Sequence, residues 1–266
     1  MAGFSFRNLG DLLIPNKSIS VGVIKAVALL QVLFILLLWL LLPSRIMPSP
    51  GEVWTAFLRL WSQGFAQELY ASFTLNLEAL AVSTIISLGV SYLMVIPIFY
   101  PIVSFISKLR FMGLVGWSLA FTIIFGGGHY LKVALLVFGM SVFFVTSMAS
   151  IVVNIPKEKF DHARTLRMGE WRVLWEVVIL DTLADAWECM RQNAAIGWMM
   201  LTMVEGLSRS EGGIGVLLLS QNKFFKLDGI AAIQLTILFL ALFQDVFLGL
   251  AQKFLFPYHL LGKERK

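Results

Sequence analysis

"NIPKEKFDHARTLRMGEWRVLWEVVI", residues Asn154–Ile179, is the most highly charged interval of a chain that is otherwise mostly apolar. Ile155-Pro156 places an extended residue before a proline, and a proline suits the first turn of a helix. Beyond it Phe160, Ala163, Leu166 and Arg167 recur at the spacing of helical turns, which predicts a short helix with one apolar stripe and one charged face. Gly169 is expected to end or bend that helix, and Trp171, Leu174, Trp175 and Val178 make a second apolar face beyond it. An amphipathic element of this kind either lies on a membrane surface or docks a partner.

The rest of the chain says which phase the segment interrupts. With 266 residues, 58% of them hydrophobic and 14% charged, and a mean hydropathy of +0.83, there is too little polar surface to cover a soluble core. The expectation is an integral membrane protein with the lipid bilayer as its main partner. The net charge of +5 is spread between apolar runs and the chain ends, so nucleic acid is not an expected partner. Cys189 is the single cysteine, and His129, His162 and His259 are far apart, so neither a disulfide nor a metal centre is expected. No nucleophile–base constellation and no phosphate-binding Gly-x-x-x-x-Gly-Lys-Ser/Thr run appears, so the chain is expected to be neither an enzyme nor the holder of a cofactor.

A helix needs about 20 apolar residues to cross a hydrocarbon core. Six stretches approach this: Val23–Leu42, Leu77–Ile98, Leu109–Phe125, Leu131–Val153, Ala184–Val204 and Ile230–Leu250. The first is too long for the apolar part of a secretory signal and is expected to be retained. Gly126-Gly127-Gly128 suits a tight turn joining the third and fourth stretches into a hairpin. With both termini placed in the cytoplasm, 15 Lys and Arg fall on the inner side and six on the outer, as the positive-inside rule requires. The predicted fold is therefore all-α: a polytopic membrane protein of six transmembrane helices, both termini cytoplasmic, with the quoted helix in the cytoplasm between helices 4 and 5. One membrane domain, 23–252, would contain the loop 154–180, flanked by a cytoplasmic segment, 1–22, and a basic tail, 253–266.

"DHARTLRMGEWRVLWEVVILDTL", Asp161–Leu183, resembles the cytoplasmic signature loop of ATP-binding-cassette importer permeases, which runs Glu-Ala-Ala, a short spacer, Gly and a mostly apolar run to Leu-Pro. Asp161, His162 and Ala163 stand at Glu-Ala-Ala, Gly169 at the glycine, and Leu180-Asp181 at Leu-Pro. "GWMMLTMVEGLSRSEGGIGVLLLSQ" matches the branch that imports taurine, alkanesulfonates and nitrate at Gly197, Trp198, Glu205, Gly213 and Gly215. "PSPGEVW", Pro48–Trp54, is similar to the approach to the second span in the same branch. The resemblance covers most of the chain from Leu75 to "FLFPY".

The resemblance implies a permease subunit of a bacterial cytoplasmic (inner) membrane importer. Its partners would be a cassette ATPase dimer that holds ATP and Mg, a second permease copy or paralogue, and an extracytoplasmic solute-binding protein. Phe160, Asp161, His162, Ala163, Leu166 and Gly169 would form the ATPase-coupling helix. Asp161 keeps the family's negative charge on a shorter arm, His162 replaces a small residue by a ring, and Asp181 replaces a helix-stopping proline by a carboxylate.

Ionisable residues at membrane depth face a protein interior or a watery cavity, because facing lipid is costly. Asp181, Asp185, Glu188 and Gln192 share one helical stripe. Either the fifth helix starts near Ala184 and the stripe lines an inner vestibule, or it starts near Ala194 and leaves these groups in the cytoplasm or against the ATPase; the later start is the preferred reading. Glu188, Arg191, Gln192, Asn193, Trp198 and Glu205 are the candidates for the translocation path or gate, with an ion pair expected between Glu188 and Arg191. Glu205 is expected near the outer end, as a cap or gate or as a simple exposed carboxylate. Glu78 and Asp245 are expected to be neutralised by polar neighbours, and Gly197 to admit close helix approach. Two other classes stay open. A secondary transporter would show repeat symmetry and midplane ion ligands, which the sequence lacks. A membrane scaffold would need no solute path.

Overall fold

The computed structural model describes residues 21–41, 47–208 and 211–257, and every regular element among them is helical. Residues 1–20 of the expected N-terminal segment, Arg45, Arg209 and residues 258–266 of the expected tail lie outside the described residues. Two compact units make up the chain, Met1–Thr55 and Ala56–Lys266.

The first unit holds α1 (Val21–Leu41) and the start of α2 (Pro50–Ser62). α1 is long and apolar enough to span a bilayer. Trp39 Nε1 donates to the Pro48 carbonyl at 2.9 Å. α2 begins with a capping box: the Ser49 N–H donates to Glu52 Oε2 at 2.8 Å, the Glu52 N–H donates to Ser49 Oγ at 3.4 Å, and Pro50 occupies the first helical position.

The second unit is a helical bundle built on α3 (Phe65–Leu93), α6 (His129–Val153), α9 (Leu183–Leu207) and α11 (Leu227–Leu255). α3, α6 and α11 have the length and apolarity of membrane spans, whereas α9 is long enough but more polar. On α3 the buried residues Ser72, Asn76, Ala79, Ser83, Ser87 and Ser91 recur every three or four positions, a stripe of mostly small side chains that lets neighbouring helices come close. α9 meets that stripe closely: a Cβ on Gly197 would stand 2.6 Å from Asn76 Oδ1, so any larger residue there would have to displace the Asn76 side chain. α3 and α6 run in the same direction, with Ser87 Oγ donating to the Ser141 carbonyl, and α9 runs against both. Phe144 and Met148 of α6 pack on Ala186 and Cys189 of α9. Trp187 Nε1 of α9 donates to the Leu248 carbonyl of α11 at 3.0 Å.

The third predicted span takes a different form. Residues 109–125 do not make one straight helix; α4 (Tyr100–Lys108) continues through a 3-10 turn, Leu109–Phe111, to a break, and α5 (Leu114–Phe125) leaves at 113° to it. Met112 and Gly113 are extended at the break, and Lys108 and Arg110 just before it favour a polar setting. Val103 of α4 packs with Met94, Val145 and Ala149, fixing the first arm of the bend against α3 and α6. The glycine turn expected after α5 is present, with Gly126 and Gly128 at φ of 75° and 81°.

Candidate functional site

The bundle has two polar ends, and the quoted segment forms one of them. α7 (Lys157–Thr165) starts after Pro156, as expected, but ends before Gly169. Arg167 takes the left-handed conformation at φ 55°; its N–H donates to the Arg164 carbonyl at 2.8 Å, and the Met168 N–H reaches back to the Ala163 carbonyl at 3.3 Å. This pair of bonds is a Schellman closure with arginine in the place glycine usually takes. Gly169 is instead the extended residue that caps α8 (Glu170–Val173). From α8 the chain continues as a π-helical segment, Leu174–Leu180, a winding that is rare and occurs frequently at functional sites.

Of the six residues assigned to coupling, Ala163 is buried, Phe160 is half-buried, and Asp161, His162, Leu166 and Gly169 are exposed. The apolar stripe predicted through Leu166 therefore rests on the protein only through Ala163 and Phe160. Two ion pairs supply the remaining attachment, Arg164 Nε to Glu170 Oε1 at 3.1 Å and Lys159 Nζ to Asp181 Oδ2 at 2.5 Å, while Arg164 and Asp161, 3.8 Å apart, pair within α7 itself. The Glu170 carboxylate raises Arg164 above its ordinary range, so the guanidinium stays charged. Of the second predicted face only Val178 is buried; Leu174 is half-buried, Trp171 and Trp175 are exposed, and the neighbouring Val173 is buried in their place.

α9 is continuous from Leu183, so the later start near Ala194 does not hold. Its stem is fixed by packing: Thr182 Oγ1 donates to the Val178 carbonyl at 2.7 Å and lies 3.2 Å from Tyr92 Oη of α3. Arg191 meets Glu188 at 2.8 Å, the pair expected from the sequence, and approaches Asp245 of α11 at 3.7 Å. Gln192 Nε2 donates to Glu188 Oε1 at 3.4 Å. Glu78, the other isolated acid, faces His129 Nε2 at 2.8 Å. The path candidates thus occupy two faces of α9. Glu188, Arg191 and Gln192 form a linked polar group, partly open to solvent, whereas Asn193 and Trp198 are buried inside the bundle. Trp198 Nε1 donates to Gln244 Oε1 at 2.7 Å and its ring lies 6.2 Å from that of Phe73.

At the opposite end Glu205 is 1% exposed and acts as a clamp. Its Oε1 accepts from Ser72 Oγ at 2.5 Å, and its Oε2 accepts the Gly215 N–H at 2.7 Å in the first turn of α10 (Ile214–Lys223). Ser72 Oγ in turn accepts the Ile214 N–H at 2.9 Å, the Gly213 N–H donates to Glu68, and Lys132 Nζ donates to the Gly212 carbonyl at 2.9 Å. Gly213, at φ 111°, lies so close to the Glu205 carboxylate that an added Cβ would stand 2.4 Å from it. Free N–H groups at a helix start favour negative charge, and Glu205 and Glu68 provide it. Of the two readings of Glu205, the buried cap describes its geometry and the exposed carboxylate does not. Glu68, Ser72 and Lys132 were not among the candidates; a lysine one turn into an apolar run was the one available signal. Among the described residues no group of three His, Cys, Asp or Glu is placed to hold a metal ion.

This geometry defines a helical membrane bundle with a charged helical hairpin at one end and a carboxylate-clamped short helix at the other. No family model matches the chain, and no curated protein matches it in sequence. Among solved structures it is similar to a chain of the MetNI methionine ABC transporter in inward-facing conformations, at 15% identity and a TM-score of 0.52, covering 72% of this chain and 94% of that chain. The shared property is the fold alone.

Proposed function

We propose that this chain is the permease subunit of an ATP-binding-cassette importer. α1, α3, the bent α4–α5 pair, α6, α9 and α11 would make six crossings, with both termini and the α7–α8 hairpin in the cytoplasm of a bacterial cell. The observation that carries the reading is α7: a charged helix, attached to the bundle by little apolar surface, projecting where α6 ends and α9 begins. Asp161, His162 and Leu166 present the surface offered to a cassette ATPase, and Phe160, Ala163 and Gly169 hold its shape. ATP and Mg belong to that ATPase dimer. A second permease copy or paralogue completes the path, and an extracytoplasmic binding protein delivers the solute. The Glu188–Arg191–Gln192 group faces the path from the inner side. Asn193 and Trp198 pack the helix behind it, and Glu205 fixes the outer closure. The solute class, a small sulfonate, nitrate or similar anion, rests on the resemblance of the Gly197–Gln221 segment to the branch that imports them.

The test is reconstitution in lipid with the cassette ATPase and binding protein encoded beside this chain. Taurine, an alkanesulfonate or nitrate is expected to raise ATP hydrolysis, and Ala163→Arg, which would drive α7 off its seat, is expected to abolish the rise. A complex that assembles but answers to no solute would favour the scaffold, and failure of the ATPase to bind would refute the reading.

A further inference from the structure

The chain connects α7 to α9 through the π-helical segment Leu174–Leu180, and π-bulges are among the few places where helices kink. Displacement entering at α7 would be partly absorbed there. One contact bypasses it. Lys159, in the first turn of α7, places Nζ 2.5 Å from Oδ2 of Asp181, which stands just past the π segment and two residues before α9. The neighbouring Thr182 is buried and tied to Val178 and Tyr92, so Asp181 is mounted on a firm base. The other hairpin link, Arg164 to Glu170, joins residues on the same side of the π segment and cannot serve this purpose.

We propose that the Lys159–Asp181 ion pair is a strut that fixes the angle between α7 and the start of α9, so that motion of α7 reaches the membrane helix directly. This rests on the permease reading. Both side chains are nearly half exposed, at 48% and 42%, so the pair adds little to stability; its contribution is positional. An exposed pair of this kind can also break and reform within a transport cycle, which a buried pair resists.

Two readouts on the full chain in lipid nanodiscs separate this inference from the reading it rests on. Spin labels at Lys157→Cys and Lys253→Cys are expected to give a narrow distance distribution that broadens in Asp181→Asn and in Lys159→Gln and narrows again in the K159D/D181K swap. In the assembled complex the single variants are expected to lose about two- to fivefold of the solute-stimulated ATPase rate, with basal rate and thermal midpoint unchanged and the swap restoring the loss. High salt should weaken stimulation in the native chain and leave Asp181→Asn unaffected. An unchanged label distribution in Asp181→Asn, or a swap no better than the single variants, overturns the strut. A native complex without any stimulated hydrolysis refutes the permease reading, while the label distances still decide the strut.

Discussion

Glu205 shows how one side chain can hold an entire turn. Its carboxylate accepts from a hydroxyl on α3 and from a backbone N–H at the start of α10, in a place that water does not reach. Removing it leaves two buried donors without an acceptor, at roughly 1–3 kcal/mol for each group. Glu205→Ala is therefore expected to lower the thermal midpoint in detergent sharply, and Glu205→Gln, which keeps a carbonyl oxygen for Gly215, to lower it less. Equal midpoints for both variants would contradict the clamp. The sequence marked Glu205 as an acid beside a glycine-rich run. Its partner Ser72 lies more than a hundred residues away and was invisible, because spacing along one helix carries no record of what another helix brings to it.

The hairpin at the other end was legible in its composition and only partly in its geometry. Pro156 set the start of α7, yet the stop fell at Arg167 rather than Gly169, since closing bonds to Ala163 and Arg164 formed two residues earlier. A side chain in the left-handed region costs about 1 kcal/mol that glycine avoids. Arg167→Gly should slow hydrogen exchange at the Arg167 and Met168 amides, and Arg167→Val should speed it; the reverse order would mean that the turn is held by something else. The third span failed as a straight helix for a related reason. An apolar count sees Leu109–Phe125 as one run, but Lys108 and Arg110 sit at its head, and Met112 and Gly113 take extended backbone there.

For the molecule as a whole, the positive charges and the polar ends must agree on which side faces the cytoplasm. If α7 lies inside, a membrane-impermeant thiol reagent added to spheroplasts should label Lys223→Cys, on the exposed end of α10, and leave Arg172→Cys untouched until the membrane is opened. The native Cys189 is buried and should stay silent in both cases. Labelling of Arg172→Cys from outside would invert the topology and end the case for an ATPase docked at α7.

Amino-acid order alone sufficed for the all-helical membrane character, the approximate positions of the long helices, the polar hairpin and the Glu188–Arg191 pair. These are local properties: hydrophobic runs, turn chemistry and contacts one turn apart are written in neighbouring residues. The bend after α4, the unbroken start of α9, the Asn76 packing on Gly197, the buried clamp on α10 and the Lys159–Asp181 link needed the folded bundle. Each joins groups from separate helices or weighs local preference against packing, and that balance exists once the helices have met.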